Sequence, residues 1–248
     1  MHLKPLLLRA GVAVALISLR IPAPAQTTSH SKPVSGTPLV VTSVPFTAQE
    51  WTATILAHSD GSTSQTLRRV DVTRNTAGST RRELRILPPH PSPTVQPTGS
   101  LSIDIHDVPN TLAIHLSPAA NTATVHELWK TGRPSIAPVT IPVGAVVSAP
   151  NQDLGLQSIA GFTARGTRRT LAFPPGTKDT TQTVTETIDT WYSPDLKTVL
   201  LTQTTDSLNN STVTQLLQVL QGEPDPTLFT VPQSYTVTII PKSTQRPQ

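Results

Sequence analysis

Four side chains that can ligate a metal fall within a short stretch of the chain. They are Asp104, His106, His115 and His126. Zinc sites need at least three protein ligands at about 2 Å from one point. The alternating pattern of the stretch places all four side chains on one face of neighbouring strands. Two strand spacings separate Asp104 from His126, which is roughly 9–10 Å at the usual interstrand distance.

The expected pairing of these strands argues against convergence of the four groups. We expect Ser102 and Thr124 opposite His115, and Ala113 opposite Asp104. The other face carries apolar side chains typical of a core, namely Ile103, Ile105, Leu112, Ile114, Leu116 and Val125. The sequence therefore predicts a solvent-facing polar row, with no metal and no other cofactor.

Other chemical signatures are missing or have a structural explanation. The chain has no Gly-x-Ser-x-Gly, Gly-x-Gly-x-x-Gly, P-loop or His-Glu-x-x-His motif. Asp195, Glu223 and Asp225 lie in proline-containing turns, where carboxylates commonly accept hydrogen bonds from backbone donors. Glu186 and Asp189 lie on a predicted strand, and no aromatic-lined groove accompanies them as glycosidases require. We expect no catalytic residues, although a secreted, metal-assisted hydrolase is the competing class.

A run of arginines invites a nucleic-acid interpretation that the surrounding sequence does not support. The run comprises Arg68, Arg69, Arg74, Arg81, Arg82 and Arg85. It lacks the interleaved aromatic side chains of single-strand binders. Asp71 and Glu83 are placed to pair with these arginines across strands. We expect no nucleic-acid partner.

Three aromatic side chains are the candidates for a ligand cavity. Trp51, Trp191 and Phe229 lie in or beside predicted strands, where aromatics usually pack into a core. A ligand-binding role requires that they line an empty concavity instead. The segment that contains Phe229 begins with Pro224 and Pro226 and is expected to cover one end of the sheet.

Composition favours β structure and excludes cysteine chemistry. The 248 residues include 40 threonines, 25 prolines and no cysteine, so disulfides and cysteine-ligated metals are excluded. The formal charge is +4, but Lys4, Arg9 and Arg20 precede a predicted cleavage site. The remaining chain is then nearly neutral and has no global field to attract nucleic acid or anionic membrane.

The N-terminus resembles a secretory signal. A basic start and an apolar stretch lead to Ala23-Pro24-Ala25, a small-residue cleavage pattern. The uninterrupted apolar core is about eight residues, against roughly 20 for a membrane span. We expect a signal peptide over 1–25, a secreted or periplasmic product, and no integral membrane protein.

Alternating apolar and polar residues predict a mainly β fold with little helix. Residues 46–57 and 67–74 form one predicted pair, and 101–129 form a meander. A pair over 155–164 and 167–173 turns at Arg165-Gly166, and a turn at 193–195 joins 181–192 to 197–205. We expect a curved antiparallel sheet or half-open β-barrel of about ten or eleven strands, with at most one helical turn near 225–229.

Proline-rich stretches interrupt this pattern without separating two independent units. We expect surface loops at 88–99 and 132–153, because proline cannot donate to a strand ladder. Residues 26–44 form an expected flexible Thr/Ser/Pro-rich lead-in, and 242–248 an expected disordered tail. One β domain is expected over 45–241.

Two segments resemble signatures of uncharacterised secreted proteins of acidobacteria. They are 186–197 (ETIDTWYSPDLK) and 223–235 (EPDPTLFTVPQSY), with looser agreement at 74–83 and 159–168. The strand order is also similar to the half-open β-barrel of periplasmic lipoprotein carriers and envelope-stress sensors. That resemblance implies a curved sheet that holds an acyl chain.

Three function classes follow from these observations. The first is an exported, non-enzymatic β-protein that binds a hydrophobic or amphiphilic small molecule, such as a lipid, or a cell-envelope protein, in a concave sheet. The second is the secreted hydrolase. The third is a structural or adhesive envelope module with a filled core and no concavity.

Overall fold

The structure is a computed structural model that describes residues 40–88, 91–92, 94–128, 142–178 and 181–241. The predicted signal peptide, most of the lead-in, the tail and residues 132–141 of the second loop lie outside the described residues. Regular structure in the described residues consists of strands and a single 3-10 turn. The predicted mainly β fold is therefore confirmed.

The described residues form thirteen strands, two or three more than expected. In chain order they are β1 (Phe46–Ala57), β2 (Thr63–Arg74), β3 (Thr80–Ile86), β4 (Gly99–Asp107), β5 (Leu112–Ser117), β6 (Thr122–Glu127), β7 (Val146–Val147), β8 (Gln152–Ile159), β9 (Phe162–Phe173), β10 (Val184–Ser193), β11 (Thr198–Asp206), β12 (Ser211–Gln221) and β13 (Thr236–Ile240). The two-residue strand β7 lies inside the segment that the sequence predicts as an uninterrupted loop.

All thirteen strands belong to one open sheet. Its order is β13-β6-β5-β4-β3-β2-β1-β12-β11-β10-β9-β7, and β8 also pairs with β9. Strand β13 is the exception to the expected antiparallel arrangement, because it pairs with β6 in parallel. The final strand thus pairs with a neighbour, as predicted, and forms one edge of the sheet.

The turn between β8 and β9 lies five residues before its predicted position. The chain reverses at Ala160 and Gly161, which both have positive φ angles of 51° and 85°. Two consecutive positive φ angles match the turn type that suits a two-residue hairpin. Arg165 and Gly166 instead continue β9 and pair with Leu156 and Gly155. The prediction of a turn at Arg165-Gly166 was wrong.

Contacts between distant strands show that the sheet curves. Strand β2 is four positions from β10 in the sheet, about 19 Å if the sheet were flat. Nevertheless, Arg74 of β2 donates a hydrogen bond from Nη2 to the carbonyl of Leu196, in the turn after β10. Val70 and Val72 of β2 also share a buried cluster with Leu196 and Ala164.

In the part of the chain that the structure describes, the buried apolar side chains form three clusters. The first contains Phe46, Ala48, Val70, Val72, Ile159, Ala164, Leu196, Leu200 and Leu216. The second contains Ile103, Ile105, Ile114, Leu116, Ala123, Val125 and Phe229. The third contains Leu171, Phe173, Val184 and Leu208.

Between β3 and β4, the apolar core changes from one face of the sheet to the other. Val70 lies opposite Leu84, which lies opposite Ser102. Ile103, the next residue, therefore points to the other face. The first cluster covers one face over β1–β3, and the second cluster covers the opposite face over β4–β6.

Candidate functional site

The histidine row lies on the solvent-facing side of β4, β5 and β6, as predicted, but its pairing is shifted by two residues. His115 lies opposite Asp104, not Ser102, and opposite Thr124 as expected. Its Nδ1 atom is 2.7 Å from Asp104 Oδ1. His106, Ala113 and His126 form the next row. Thr111, with a φ angle of 58°, closes the preceding turn and sets this register.

These four side chains do not converge on one point. Half of the His115 side chain is exposed, and Asp104 is more exposed still. Ala113 separates His106 from His126 in their row. Among the residues that the structure describes, no group of three or more histidines and carboxylates could hold a metal ion.

The carboxylates of the second signature segment, 223–235, accept structural hydrogen bonds. Asp225 accepts from the Thr227 backbone N–H at 2.9 Å and caps the 3-10 turn Pro226–Phe229. The Thr227 hydroxyl, 2.7 Å away, is the main cause that lowers the pKa of Asp225, followed by that backbone bond. Glu223 accepts from the N–H and hydroxyl of Thr76 and so joins β12 to the β2–β3 turn.

The carboxylates of β10 form ion pairs with their neighbours. Asp189 accepts two hydrogen bonds of 2.6 Å from Arg168 of β9, which raise the pKa of the arginine. Glu186 accepts from Lys178 at 2.7 Å, and the same ammonium lies 3.9 Å from the centre of the Phe173 ring. These contacts stabilise the edge region of the sheet.

Most of the arginine run is engaged with acids, but the closest pairs of Asp71 and Glu83 lie within one strand and not across strands as predicted. On one face, Arg69 pairs with Asp71, and Arg81 and Arg85 pair with Glu83. Arg82 pairs with Glu50. Arg74 is buried and lies over the Phe46 ring, where desolvation lowers the pKa of its guanidinium. The run is therefore a structural network within the sheet.

The three candidate aromatics lie in different surroundings. Phe229 is buried in the second cluster. Trp191 packs against the first cluster. Trp51 is buried below Arg69, whose guanidinium carbon is 5.9 Å from the centre of the indole ring. Its Nε1 donates to Gln49 Oε1 at 3.2 Å.

A group of threonines that the sequence analysis overlooked lies in the middle of the sheet. It comprises Thr52, Thr54, Thr202, Thr204, Thr212 and Thr214, and we call it the threonine panel. One row aligns Thr52, Thr214 and Thr202, and the other aligns Thr54, Thr212 and Thr204. All six side chains are partly exposed. The Thr-x-Thr pattern repeated on three strands was the signal that could have revealed the panel.

The threonine panel borders two apolar clusters on its own face. Leu216 follows Thr214, and Leu200 precedes Thr202, each by two residues along the strand, and both belong to the first cluster. Ile188, which packs against the third cluster, lies opposite Thr204. Thr52 Oγ1 is 3.0 Å from Thr214 Oγ1, so these two hydroxyls bond to each other. The panel therefore presents hydroxyl and methyl groups between apolar surfaces.

Comparison with known proteins adds only distant structural likenesses. No protein-family model matches this chain, and no curated protein sequence matches it either. An uncharacterized conserved protein from Thermus thermophilus is similar with a TM-score of 0.40 and 9% identity, over 79% of this chain and 90% of that one.

Two further similar structures belong to proteins that are described by a superfamily or a role. A LolA superfamily protein from Nitrosomonas europaea has a TM-score of 0.30 and 12% identity, over 75% of this chain and 90% of that one. A putative outer membrane lipoprotein-sorting protein domain from Vibrio parahaemolyticus has a TM-score of 0.27 and 7% identity, over 74% and 88%. LolA-superfamily proteins are thus among the structures similar to this chain, but such low TM-scores transfer no ligand or location to it.

Within the described ranges, no helix is long and apolar enough to cross a bilayer.

Proposed function

We propose that the chain is exported to the periplasm or the extracellular space, where it binds an amphiphilic ligand without catalysing a reaction. The ligand is a lipid or a similar small molecule with an apolar chain and a polar group. It lies against the threonine panel and the exposed margins of the adjoining apolar clusters.

The threonine panel is the observation that carries this proposal. Each threonine offers a methyl group for van der Waals contact and a hydroxyl that can donate and accept. A purely apolar ligand would leave these hydroxyls desolvated, at a cost that hydrogen bonding normally offsets. An amphiphile can contact the methyl groups with its chain and bond the hydroxyls with its polar group. The open sheet gives access from solvent.

The sequence supports the proposed location. The small-residue pattern at Ala23-Pro24-Ala25 predicts cleavage near Ala25. The absence of cysteine makes folding of the exported chain independent of disulfide formation.

Titration of the protein with a lysophospholipid below its critical micelle concentration tests the proposal. Calorimetry should detect binding to the parent, and the double variant Thr52→Val, Thr214→Val should bind at least about tenfold more weakly, a difference of roughly 1.4 kcal/mol. The change removes two hydroxyls that bond to each other, so the fold should tolerate it.

The matched control replaces two exposed threonines outside the panel. Thr163→Val with Thr185→Val should leave the affinity unchanged, since both positions are exposed and lie in β9 and β10. Absence of binding to the parent, or equal weakening in both double variants, would refute the role of the panel.

One contact favours a second candidate function, that of a hydrolase. The Asp104–His115 contact has the geometry of a carboxylate that orients a general base. Ester hydrolysis by the parent that falls in both Asp104→Asn and His115→Ala would support this function. Equal rates in the parent and in both variants would exclude the pair from catalysis.

A further inference from the structure

A surface cavity of about 270 Å³ opens between β1, β2 and β12. Its polar lining residues are Thr47, Gln49, Arg69, Asp71, Thr73 and Gln218. Gln49 and Thr52 differ by an odd number of positions along β1, so the polar wall and the threonine panel lie on opposite faces. The polar wall therefore faces away from the threonine panel, while Ala48 and Val72 of the first cluster also line the cavity.

Gln218 adopts a backbone conformation that its residue type disfavours. Its φ angle is 50°, and it lies in a β-bulge of β12 opposite Thr47–Gln49. Every other non-glycine residue with positive φ in the described part of the chain lies in a turn or bend. Bulges redirect side chains and are frequent beside binding sites, where such strain is retained. The bulge directs Gln218 to the cavity.

Hydrogen bonds hold the amides of the cavity in place. Gln49 Nε2 donates to Gln218 Oε1 at 2.5 Å. Gln49 Oε1 in turn accepts from the buried indole of Trp51. The donors and acceptors of both glutamines are therefore oriented before any ligand arrives, which lowers the entropy lost on binding.

A partly buried ion pair lines the cavity. Arg69 is only 6% exposed, and its Nε donates to Asp71 Oδ1 at 2.7 Å. Asp71 Oδ2 also lies 3.5 Å from Arg85 Nε, a buried atom that has no hydrogen-bond partner. The two arginines fix the carboxylate, which remains partly exposed and able to accept further hydrogen bonds.

We propose that this cavity is a binding site for a single neutral sugar ring. Its carboxylate, amides and hydroxyls offer both acceptors and donors at close spacing, which matches the neighbouring hydroxyls of a pyranose. The charges of Arg69 and Asp71 largely offset each other because the two groups are paired, so the cavity attracts neither anions nor cations strongly and a neutral ligand is favoured. The volume of about 270 Å³ lies just below the usual range of roughly 300–1,000 Å³ for ligand sites, which suits one ring.

Saturation-transfer NMR tests this site with the methyl glycosides of glucose, galactose and N-acetylglucosamine, and with acetate and methyl phosphate as charged controls whose methyl protons can be observed. At least one glycoside should bind the full chain with a dissociation constant of about a millimolar, as expected for a small exposed site. Acetate and methyl phosphate should show no transfer. No transfer from any glycoside, or equal transfer from the charged controls, would overturn the proposal.

Gln218→Gly separates binding from folding. Glycine adopts positive φ readily, so the variant should melt no lower than the parent, while glycoside binding falls at least tenfold. The matched control is Lys197→Gly, at a φ angle of 49° in the β10–β11 turn, which should keep full binding. Unchanged glycoside binding in Gln218→Gly would contradict the proposal. The lysophospholipid titration measures binding at the threonine panel, so either proposal can fail without the other.

Discussion

Gly166 shows how closely two strands approach inside the molecule. A Cβ atom at this position would lie 2.7 Å from Trp191 Nε1 and 2.8 Å from Leu154 Cβ. The backbone angle of Gly166 is not positive, so space and not strain requires the glycine. Overpacking of a tight contact typically costs about 1–3 kcal/mol. We expect Gly166→Ala to lower the free energy of unfolding by about that amount.

Gly99→Ala is the matched control for this prediction. A Cβ at Gly99 would meet Ile86 Cδ1 at 3.6 Å, an ordinary contact. Urea unfolding of both variants provides the comparison. If Gly166→Ala were as stable as Gly99→Ala, Trp191 would not be held against β9.

The carboxyl of Glu83 makes the free energy of unfolding depend on pH. Burial raises the pKa of its carboxyl, but hydrogen bonds from Ser100 and Arg81, and the charges of Arg81 and Arg85, lower the pKa more. The net pKa lies below the ordinary value of 4.5. A carboxyl with a depressed pKa in the folded state contributes stability above its unfolded pKa, and that contribution disappears as pH falls through the folded pKa.

Acid unfolding measures this contribution. We expect the parent to lose free energy of unfolding as pH falls below about 4.5. Glu83→Gln should be less stable than the parent at pH 7 and should approach it in acid. Stability curves that stay parallel from pH 7 into the acid range would show that Glu83 does not contribute this dependence.

At the scale of elements, the segment from Glu223 to Tyr235 covers the second cluster. Phe229 is buried among strands β4, β5 and β6, and Arg81 Nη1 donates to the neighbouring carbonyl of Leu228 at 3.0 Å. We expect Phe229→Ala to cost about 3–5 kcal/mol, as for other buried phenylalanines. Ile239→Ala serves as a control because Ile239, on the edge strand β13, is 64% exposed. Similar melting temperatures for the two variants would show that the segment does not cover the core.

The elements themselves were largely predictable from the sequence. Strand β1 has its predicted limits, and the 3-10 turn lies where the prolines near Phe229 predicted one. Two registers were not predictable. Gly161 and Gly166 are both residues that could form the turn. Only the packing of Trp191 shows that Gly166 instead allows neighbouring side chains to lie close to the backbone of β9. Likewise, the positive φ of Thr111 shifted the pairing of His115 by two residues without changing its face.

The candidate sites were less predictable than the strands. Thr-x-Thr repeats are visible in the sequence, but their alignment across β1, β12 and β11 depends on non-local pairing. The cavity at Gln218 depends on a β-bulge in a strand that has no glycine at that position. A glutamine with positive φ has no sequence signature, because the surrounding sheet imposes the conformation.

At the scale of the whole molecule, Arg74 joins two parts of the curved sheet. Its Nε donates to the carbonyl of Val44 at 2.9 Å, and its Nη2 donates to the carbonyl of Leu196. Lysine cannot make both bonds in this fork geometry. Because hydrogen bonds to charged groups contribute about 1.5–3 kcal/mol, we expect Arg74→Lys to destabilise the fold by about that range.

The control for Arg74 is a second arginine in a different environment. Arg165 pairs with Asp153 on the exposed surface, so Arg165→Lys should leave the melting temperature nearly unchanged. Equal melting temperatures for Arg74→Lys and Arg165→Lys would contradict the role of Arg74 in holding the curvature.

The central claim is that the threonine face of the curved sheet holds an amphiphile. Native mass spectrometry of the protein, purified without detergent from the periplasm of an exporting host, tests it most directly. We predict a population with the added mass of a co-purified lipid, which is depleted in Thr52→Val, Thr214→Val and retained in Thr163→Val, Thr185→Val. Recovery of the parent only as ligand-free protein, with no adduct after incubation with lysophospholipid, would contradict the claim.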